Sequence, residues 1–428
     1  MSHDPLVLAH PALRRAERAV FLIFALNGFH FANFAARVPS VRDGLGMTPQ
    51  QMGLLLLVGS MGSLIALPLS GLIVQRLGAA STVRTFAVIN VAGLVLAAAM
   101  VQAGMPVLVA ASMFVFCVGT SVWDSAMNLE GTVVERRRGV TILPRLHAGF
   151  SLGTVTGAGT GALAAWAELP LVTHFLIVLV PSLVAVLLAT RAFLPHETVA
   201  DAAQKPARRE NAGRAARAWG EPRTLLLGLV VLAAAITEGA ANDWMALAVV
   251  DGFDVSNATG AVFFGVFVAA MTVGRLLGGA VLDRFGRVVV LRASATLAIV
   301  GLLFFALPAS LALTAVGAVL WGLGAAVGFP VGISAAADDP AHAAMRVPVV
   351  ATIGYSAFLV GPPVLGFLAD AVGYRTAMLA IAVPAVISLL VAGIARPVAT
   401  SAQGGDAEQG ADGGQSADEP AAPTSLEA

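Results

Sequence analysis

Gly279-Ala-Val-Leu-Asp283-Arg284-Phe-Gly286-Arg287 decides how this chain is read, because a fainter version, Gly71-Leu-Ile-Val-Gln75-Arg76-Leu-Gly78, stands 208 residues earlier. Each copy follows a long apolar run and sets glycine, a polar or acidic residue, arginine and glycine at the same spacing. A helix-to-loop signal repeated once per half divides the chain into two related bundles, and such a repeat fixes the architecture before any local reading. Other echoes agree with it. Gly149-Phe150-Ser151 and Gly354-Tyr355-Ser356 lie 205 residues apart, an offset that Gly161 shares with Gly366 and Gly119 with Gly324. Small residues at such places let helix backbones approach closely.

Composition says which solvent the chain lives in. Of 428 residues, 58% are hydrophobic and 12% charged, about half the charged share of a soluble globular protein. The mean hydropathy is +0.85. A formal net charge of zero gives no reason to expect a nucleic-acid partner. The single cysteine, Cys117, lies in an apolar run, so neither a disulfide framework nor a zinc-ligand spacing exists, and no metal or cofactor is expected. No Gly-x-x-x-x-Gly-Lys-[Ser/Thr] stretch is present to cradle ATP. The basic N-terminus (Arg14, Arg15, Arg18) precedes an apolar run with no small-residue cleavage site, so the run is expected to stay as a first span.

About 20 apolar residues make a helix long enough to cross a hydrocarbon core of roughly 30 Å. Twelve such spans are read near 19–38, 51–74, 84–103, 106–128, 146–166, 171–191, 224–250, 259–282, 288–308, 310–335, 347–370 and 374–395. The expected fold is therefore all-α and polytopic, with twelve transmembrane helices in two pseudo-symmetric six-helix bundles. The domains are a cytoplasmic N-terminal segment (1–18), an N-terminal bundle (19–192), a basic cytoplasmic linker (193–223), a C-terminal bundle (224–396) and a disordered cytoplasmic tail (397–428). With the N-terminus in the cytoplasm, 21 Lys and Arg residues fall on the inside and only Arg37, Arg42 and Arg375 outside. Arg275 lies within a span, which accounts for all 25. That asymmetry places both termini in the cytoplasm. Two six-helix halves with an internal repeat are the build of secondary transporters, whose substrate site lies where the halves meet.

On these residues, over about 19–396, the chain resembles the major facilitator superfamily. The pattern Gly279-x-x-x-Asp283-Arg284-x-Gly286-Arg287 after span 8 is the most specific signal. The copy after span 2 keeps Gly71, Arg76 and Gly78 but has Gln75 where the family usually carries an acid. A narrower likeness, to bacterial inner-membrane permeases distantly similar to fucose-type sugar:proton symporters, rests on Asp124-Ser-Ala-Met-Asn128 with Glu135, His147-Ala-Gly-Phe-Ser151-Leu-Gly153, Glu238-Gly-x-x-x-Asp243-Trp244 and Arg275. The resemblance implies a multi-pass protein of the bacterial inner membrane, a monomer whose partners are the lipid bilayer, a small-molecule substrate and protons. It also implies that spans 1, 4, 7 and 10 line a central cavity.

Ionisable groups inside a span cost about 2.5–3.5 kcal/mol on insertion scales and mark candidate sites. Asn27, His30 and Phe34 share one face of span 1, with Asn33 close by. At about 1.5 Å per residue, His30 and Glu238 each lie roughly 17–20 Å from the cytoplasmic edge and could meet near the midplane. Glu238 is then either the proton-exchanging group or a structural carboxyl, and His30 either a substrate ligand or a packing histidine. Asp124 is the second candidate for proton coupling. Arg37 and Asp243 could pair at the outer gate. Asp124 and His147 from one half could meet Arg275 from the other at an inner gate, unless Arg275 is paired within its own half. Trp244 is read as an interfacial anchor first and a cavity wall second. Asn128, Ser151, Phe329 and Tyr355 could line the cavity, or they could simply pack helices. Glu130 and Glu135 are read as loop residues paired with Arg136–Arg138.

The reading is thus a secondary transporter of a small organic solute working by alternating access, coupled to protons, with a sugar-like solute first and drug or metabolite efflux as the alternative. An integral-membrane enzyme or a sensor is the remote one. The charge asymmetry makes a direct prediction. In a bacterial host, a fluorescent protein fused after Ala428 will fluoresce, and alkaline phosphatase inserted after Asp254 will be active. The reverse pattern would invert the topology.

Overall fold

A computed structural model describes residues 10–195 and 217–396, all helix, turn and short connection, with no strand among them. Half of the N-terminal segment, the middle of the basic linker and the tail lie outside the described residues. The first half holds α1 (His10–Ala35), the short α2 (Val38–Leu45), α3 (Pro49–Leu77), α4 (Ala79–Gln102), α5 (Pro106–Arg138), α6 (Leu143–Trp166) and α7 (Leu171–Ala189). The second holds α8 (Pro222–Phe253), α9 (Asn257–Ala306), α10 (Leu311–Ala325), α11 (Gly328–Ala336), α12 (Pro340–Tyr355), α13 (Ala357–Val372), α14 (Tyr374–Ala377) and α15 (Ala382–Val391).

Ten of these segments are apolar and long enough to cross a membrane. One of the ten, α9, is two spans joined at Gly286, whose φ of 75° and ψ of 163° break the helix. A further span, α6, escapes the count because glycine, serine and threonine dilute its hydropathy. Twelve spans result, as the sequence leads one to expect. Their apolar residues face outward as well as inward. Ile65, Leu163, Leu276 and Leu390 are all more than half exposed, a surface suited to lipid rather than water. Prolines inside α3, α7, α12 and α13 are tolerated because neighbouring helices shield the interrupted backbone.

The repeat is visible in the backbone itself. Gly78 (φ 77°, ψ 155°) takes nearly the same conformation as Gly286, its counterpart 208 residues on, a region open to glycine and costly for any other residue. Gly119 packs against the backbone of Asn90, and Gly324 packs against the backbone of Ala298, the same pair of positions in each half.

The closest packing joins α1 to α6. Gly149, Gly153, Gly157 and Gly161 recur every fourth residue and form one buried stripe. Phe21, the Ala25 carbonyl, the Phe29 carbonyl and Ala36 fill the space that their side chains would need. Lipid tails are as apolar as leucine, so helices gain by this dispersion contact rather than by leaving water.

Contacts between the halves gather at the end opposite the two motifs. Arg42 Nη1 lies 2.7 Å from Asp251 Oδ1, and Asn257 Nδ2 donates to Asp43 Oδ2 at 2.9 Å. The Arg42 guanidinium also sits over the Tyr374 ring, 5.8 Å from its centre. Deeper, Gly53 of α3 meets the Pro362 carbonyl and Gly366 of α13 at backbone distance, so Gly361-Pro362-Pro363 serves as a close contact between halves. That end is shut and the motif-bearing end is open.

Five residues stand differently from the sequence expectation. Arg37 is buried and donates from Nη2 to the Leu169 carbonyl at 2.8 Å and from Nε to Ser40 at 3.1 Å, fastening α1 to the α6–α7 connection. It makes no pair with Asp243, which lies ten residues, or about 15 Å, inside the end of α8. Trp244 is fully buried against Tyr374, ring centres 5.8 Å apart, and anchors no interface. Glu130 and Glu135 lie in α5, which runs on past the apolar stretch to Arg138. Glu130 accepts from the Leu194 amide, and Glu135 caps the next helix by accepting from the Ile142 and Leu143 amides.

Gly153→Val will drive a side chain into the Ala25 carbonyl and cost about 1–3 kcal/mol, seen as a lower melting temperature in detergent. An unchanged melting temperature would mean that α1 and α6 can separate freely. Arg42→Ala will expose the native Cys117 to a membrane-impermeant maleimide about two- to five-fold faster, the range set by an exposed ion pair. Unchanged labelling would show that this pair does not hold the end shut.

Candidate functional site

A cavity of about 820 Å³ lies between the halves, walled by α6 from the first and by α8, α9 and α11 from the second. Pro144, His147, Asp283 and Gly286 are exposed around its mouth at the motif-bearing end. The glycine-packed α6 and the kinked α9 are therefore the two helices whose separation makes the space.

The wall carries one ion pair. Arg275 Nη2 donates to both carboxylate oxygens of Glu238 at 2.8 Å, and Arg275 Nε reaches the Ala326 carbonyl at 3.4 Å. Both side chains keep part of their surface in the cavity, 32% for Arg275 and 25% for Glu238. Apart, each charge would cost several kcal/mol in an apolar span; together they are neutral as a unit and still present a donor and an acceptor to a solute. The pair lies within the second half. Arg275 therefore does not join Asp124 and His147 in a cross-half ion-pair gate. His147 faces Arg275 across the cavity closely enough to feel its charge, and its ring stands edge-on to Phe24 at 5.2 Å.

Ser151, Thr272 and Ser334 add hydroxyls to the lining, and Phe329 adds an aromatic face. Phe329 lies 6.0 Å from Tyr355, which stacks on Phe358 at 6.3 Å. Asp124 of α5 is near enough to Tyr355 to interact with it electrostatically across the halves, and it makes no hydrogen bond with its side chain among the described residues. Asn128 sits one turn along and donates to the Asp124 carbonyl at 2.9 Å. Asp243 likewise has no hydrogen bond or ion pair among the described residues; its charge is felt by Cys117 of α5.

The polar face of α1 turns away from this cavity, a correction to the expected meeting of His30 and Glu238. His30 is buried between Asn90 Oδ1 at 2.8 Å and Ser182 Oγ at 2.5 Å, with the Trp123 ring edge-on at 5.2 Å. Asn90 Nδ2 donates to Thr120, so Oδ1 is the atom facing His30, and Nδ1 of the imidazole must carry a proton. Asn33 accepts from Thr160 at 2.9 Å and from His174 at 3.0 Å. Asn27 is buried with its Nδ2 unpaired. These residues knit α1 to α4, α6 and α7 inside the first half and do not line the cavity. The side chains are polar for packing reasons, and their i, i+3 spacing alone could not say which neighbour they faced.

The motif residues border the open mouth. Arg287 pairs with Asp338 and donates to Ser334 at 3.2 Å, while Asp338 also receives Arg223 at 3.4 Å. Asp283 and Arg284 are exposed, Arg284 lying over the Phe285 ring at 5.3 Å. Gly71 and Arg76 of the first copy are exposed, and Gly279 has open space beside it. Asp338, the partner that organises Arg287, carries no sequence signal beyond lying in a polar turn. The Arg42–Asp251 pair gave none either.

The comparisons agree with this geometry. The Major Facilitator Superfamily profile matches residues 20–344 and 227–426. A relative from Sinorhizobium fredii, the uncharacterized transporter y4wD, is 32% identical over 359 residues, covering 84% of this chain and 92% of its own. Among solved structures, the nucleoside transporter NupG superposes with a TM-score of 0.68 at 16% identity, covering 90% of this chain and 99% of NupG. The outward conformation of FucP gives 0.60 at 16% identity, over 89% of this chain and 99% of FucP. These relatives and neighbours are transporters rather than enzymes. With its two six-helix halves, its repeated loop signal and a cavity between them, this chain belongs to the Major Facilitator Superfamily and is a multi-pass membrane transporter.

Proposed function

We propose that the chain moves a small polar organic solute by alternating access, in symport with protons, with the motif-bearing end in the cytoplasm and the chain in the bacterial inner membrane. The observation that carries this reading is the Glu238–Arg275 pair on the wall of a cavity shut at one end and open at the other. A volume of about 820 Å³ suits a small molecule. A carboxylate, a guanidinium, an imidazole and three hydroxyls beside Phe329 offer hydrogen bonds to a polyol and an aromatic face to the apolar side of a sugar ring. FucP, of the same fold, is a fucose:proton symporter.

The coupling follows from charge. While the cavity faces the cytoplasm, both carboxylate oxygens of Glu238 are engaged by Arg275, so in this reading a proton carried inward leaves the carboxyl as the pair forms. Reloading from the other side requires the pair to loosen as the halves rock. A second reading, proton-driven export of an amphipathic compound, is favoured by the apolar share of the lining from Leu276, Leu282, Val327 and Val331.

Reconstituted vesicles separate these readings. Adding a sugar outside wild-type vesicles will raise the external pH. Glu238→Gln will lose that change by about tenfold or more while solute counterflow persists. Coupling that survives in Glu238→Gln would sink this assignment and leave Asp124 as the candidate. Proton movement driven by amphipathic compounds but not by sugars would favour export.

A further inference from the structure

A second cavity, of about 550 Å³, opens at the motif-bearing end between α1 and α6, outside the central one. Arg14, Glu17, Arg18, Phe21, Arg138 and Arg145 line it. α6 divides the two spaces: His147 lines the central cavity, while Arg145 and Leu146 line this cleft. Four guanidiniums thus converge with a single carboxylate, and that carboxylate is already taken, since Glu17 Oε2 lies 3.1 Å from Arg138 Nε. Arg14, Arg18 and Arg145 are exposed and have no hydrogen bond or ion pair among the described residues.

We propose that this cleft binds the phosphate headgroup of an anionic phospholipid. Three arginines held in one concavity repel each other until an anion joins them, and the planar guanidinium fork matches phosphate oxygens in pairs. A simply solvated basic face would have no reason to converge on a cleft from two helices more than a hundred residues apart. The height also fits. On α1, Arg14, Arg18 and the Phe21–Leu22 pair fall at i, i+4 and i+7/i+8, one face of the helix. Phe21 and Leu22 are both more than a third exposed. Apolar contact for acyl chains therefore begins about 5 Å above the arginines, where a headgroup would sit. Basic pockets between helices near the membrane surface take such headgroups.

The test uses the purified full chain, stripped of lipid in mild detergent and followed by native mass spectrometry. Short-chain phosphatidylglycerol will be retained, and short-chain phosphatidylcholine and glycerol phosphate will not. Arg14→Gln/Arg18→Gln/Arg145→Gln will lose phosphatidylglycerol at least about tenfold. A control with Arg191, Arg217 and Arg292 changed to Gln, the same charge removed elsewhere, will keep it. Equal loss in both variants, or equal retention of the two lipids, would overturn the proposal in favour of general surface charge. Retention of glycerol phosphate at the level of the lipid would overturn it in favour of a soluble anion. A several-fold gain in lipid on deleting 397–428, which carries acidic residues and no Lys or Arg, would make the chain's own tail the occupant. Melting temperatures of both triple variants within a few degrees of wild type will show that folding is not the cause of any loss.

Discussion

Within a bilayer the chain cannot be held together by escape from water, because the surroundings of each helix are as apolar as its neighbours. What remains is close contact, and the α1–α6 seam shows how close it becomes: along a stripe of four glycines, Gly153 and Gly157 meet the Ala25 and Phe29 carbonyls backbone to backbone. The same device returns where Gly119 meets Asn90 and where Gly324 meets Ala298. Each half is therefore stiff along its internal seams. Contacts between the halves are fewer in kind and concentrate at one end, so any opening must occur between them. The location of the central cavity follows from where the glycines are.

Polar groups inside the membrane divide into two populations that composition alone does not separate. Within the first half, His30 is held by Asn90 and Ser182, while Asn33, His174 and Arg37 satisfy one another and the Leu169 carbonyl. A buried donor left unpaired costs more than a made bond returns, and Asn27, whose Nδ2 has no partner, stands outside this network. Glu238, Arg275 and His147 are only partly enclosed and face the cavity. Asp124 and Asp243 belong to neither set. Each lies near the plane between the halves with no hydrogen bond from its carboxylate among the described residues, facing Tyr355 and Cys117 respectively.

Helix number, most span limits and the internal repeat were legible because they depend on length, hydropathy and spacing, which act along one chain. Even the conformation shared by Gly78 and Gly286 is foreshadowed by their matched sequence context. Partners were less legible. Glu238 and Arg275 each stand out as charges in apolar runs, yet nothing along the chain says that they meet each other rather than Asp124 or His30. The polar face of α1 was correctly drawn as a face, but its direction depends on how the helix is rotated in the bundle, which the glycine seam sets. Hydropathy also ended α5 too soon: its last turns are charged because they leave the membrane, and they remain helical because Glu135 and Gly139 finish the helix properly. The lock formed by Arg42 and Asp251 leaves no mark along the chain, because its two members stand 209 residues apart.

That lock also says something about the energy landscape. An exposed ion pair is worth at most about 1 kcal/mol, which shifts an equilibrium by roughly fivefold. Releasing this pair therefore adds little of its own to the cost of moving the halves apart at that end. A solute that binds differently in the two arrangements of the halves shifts the balance between them, and the ionic strength at the shut end becomes a quiet control on the lock.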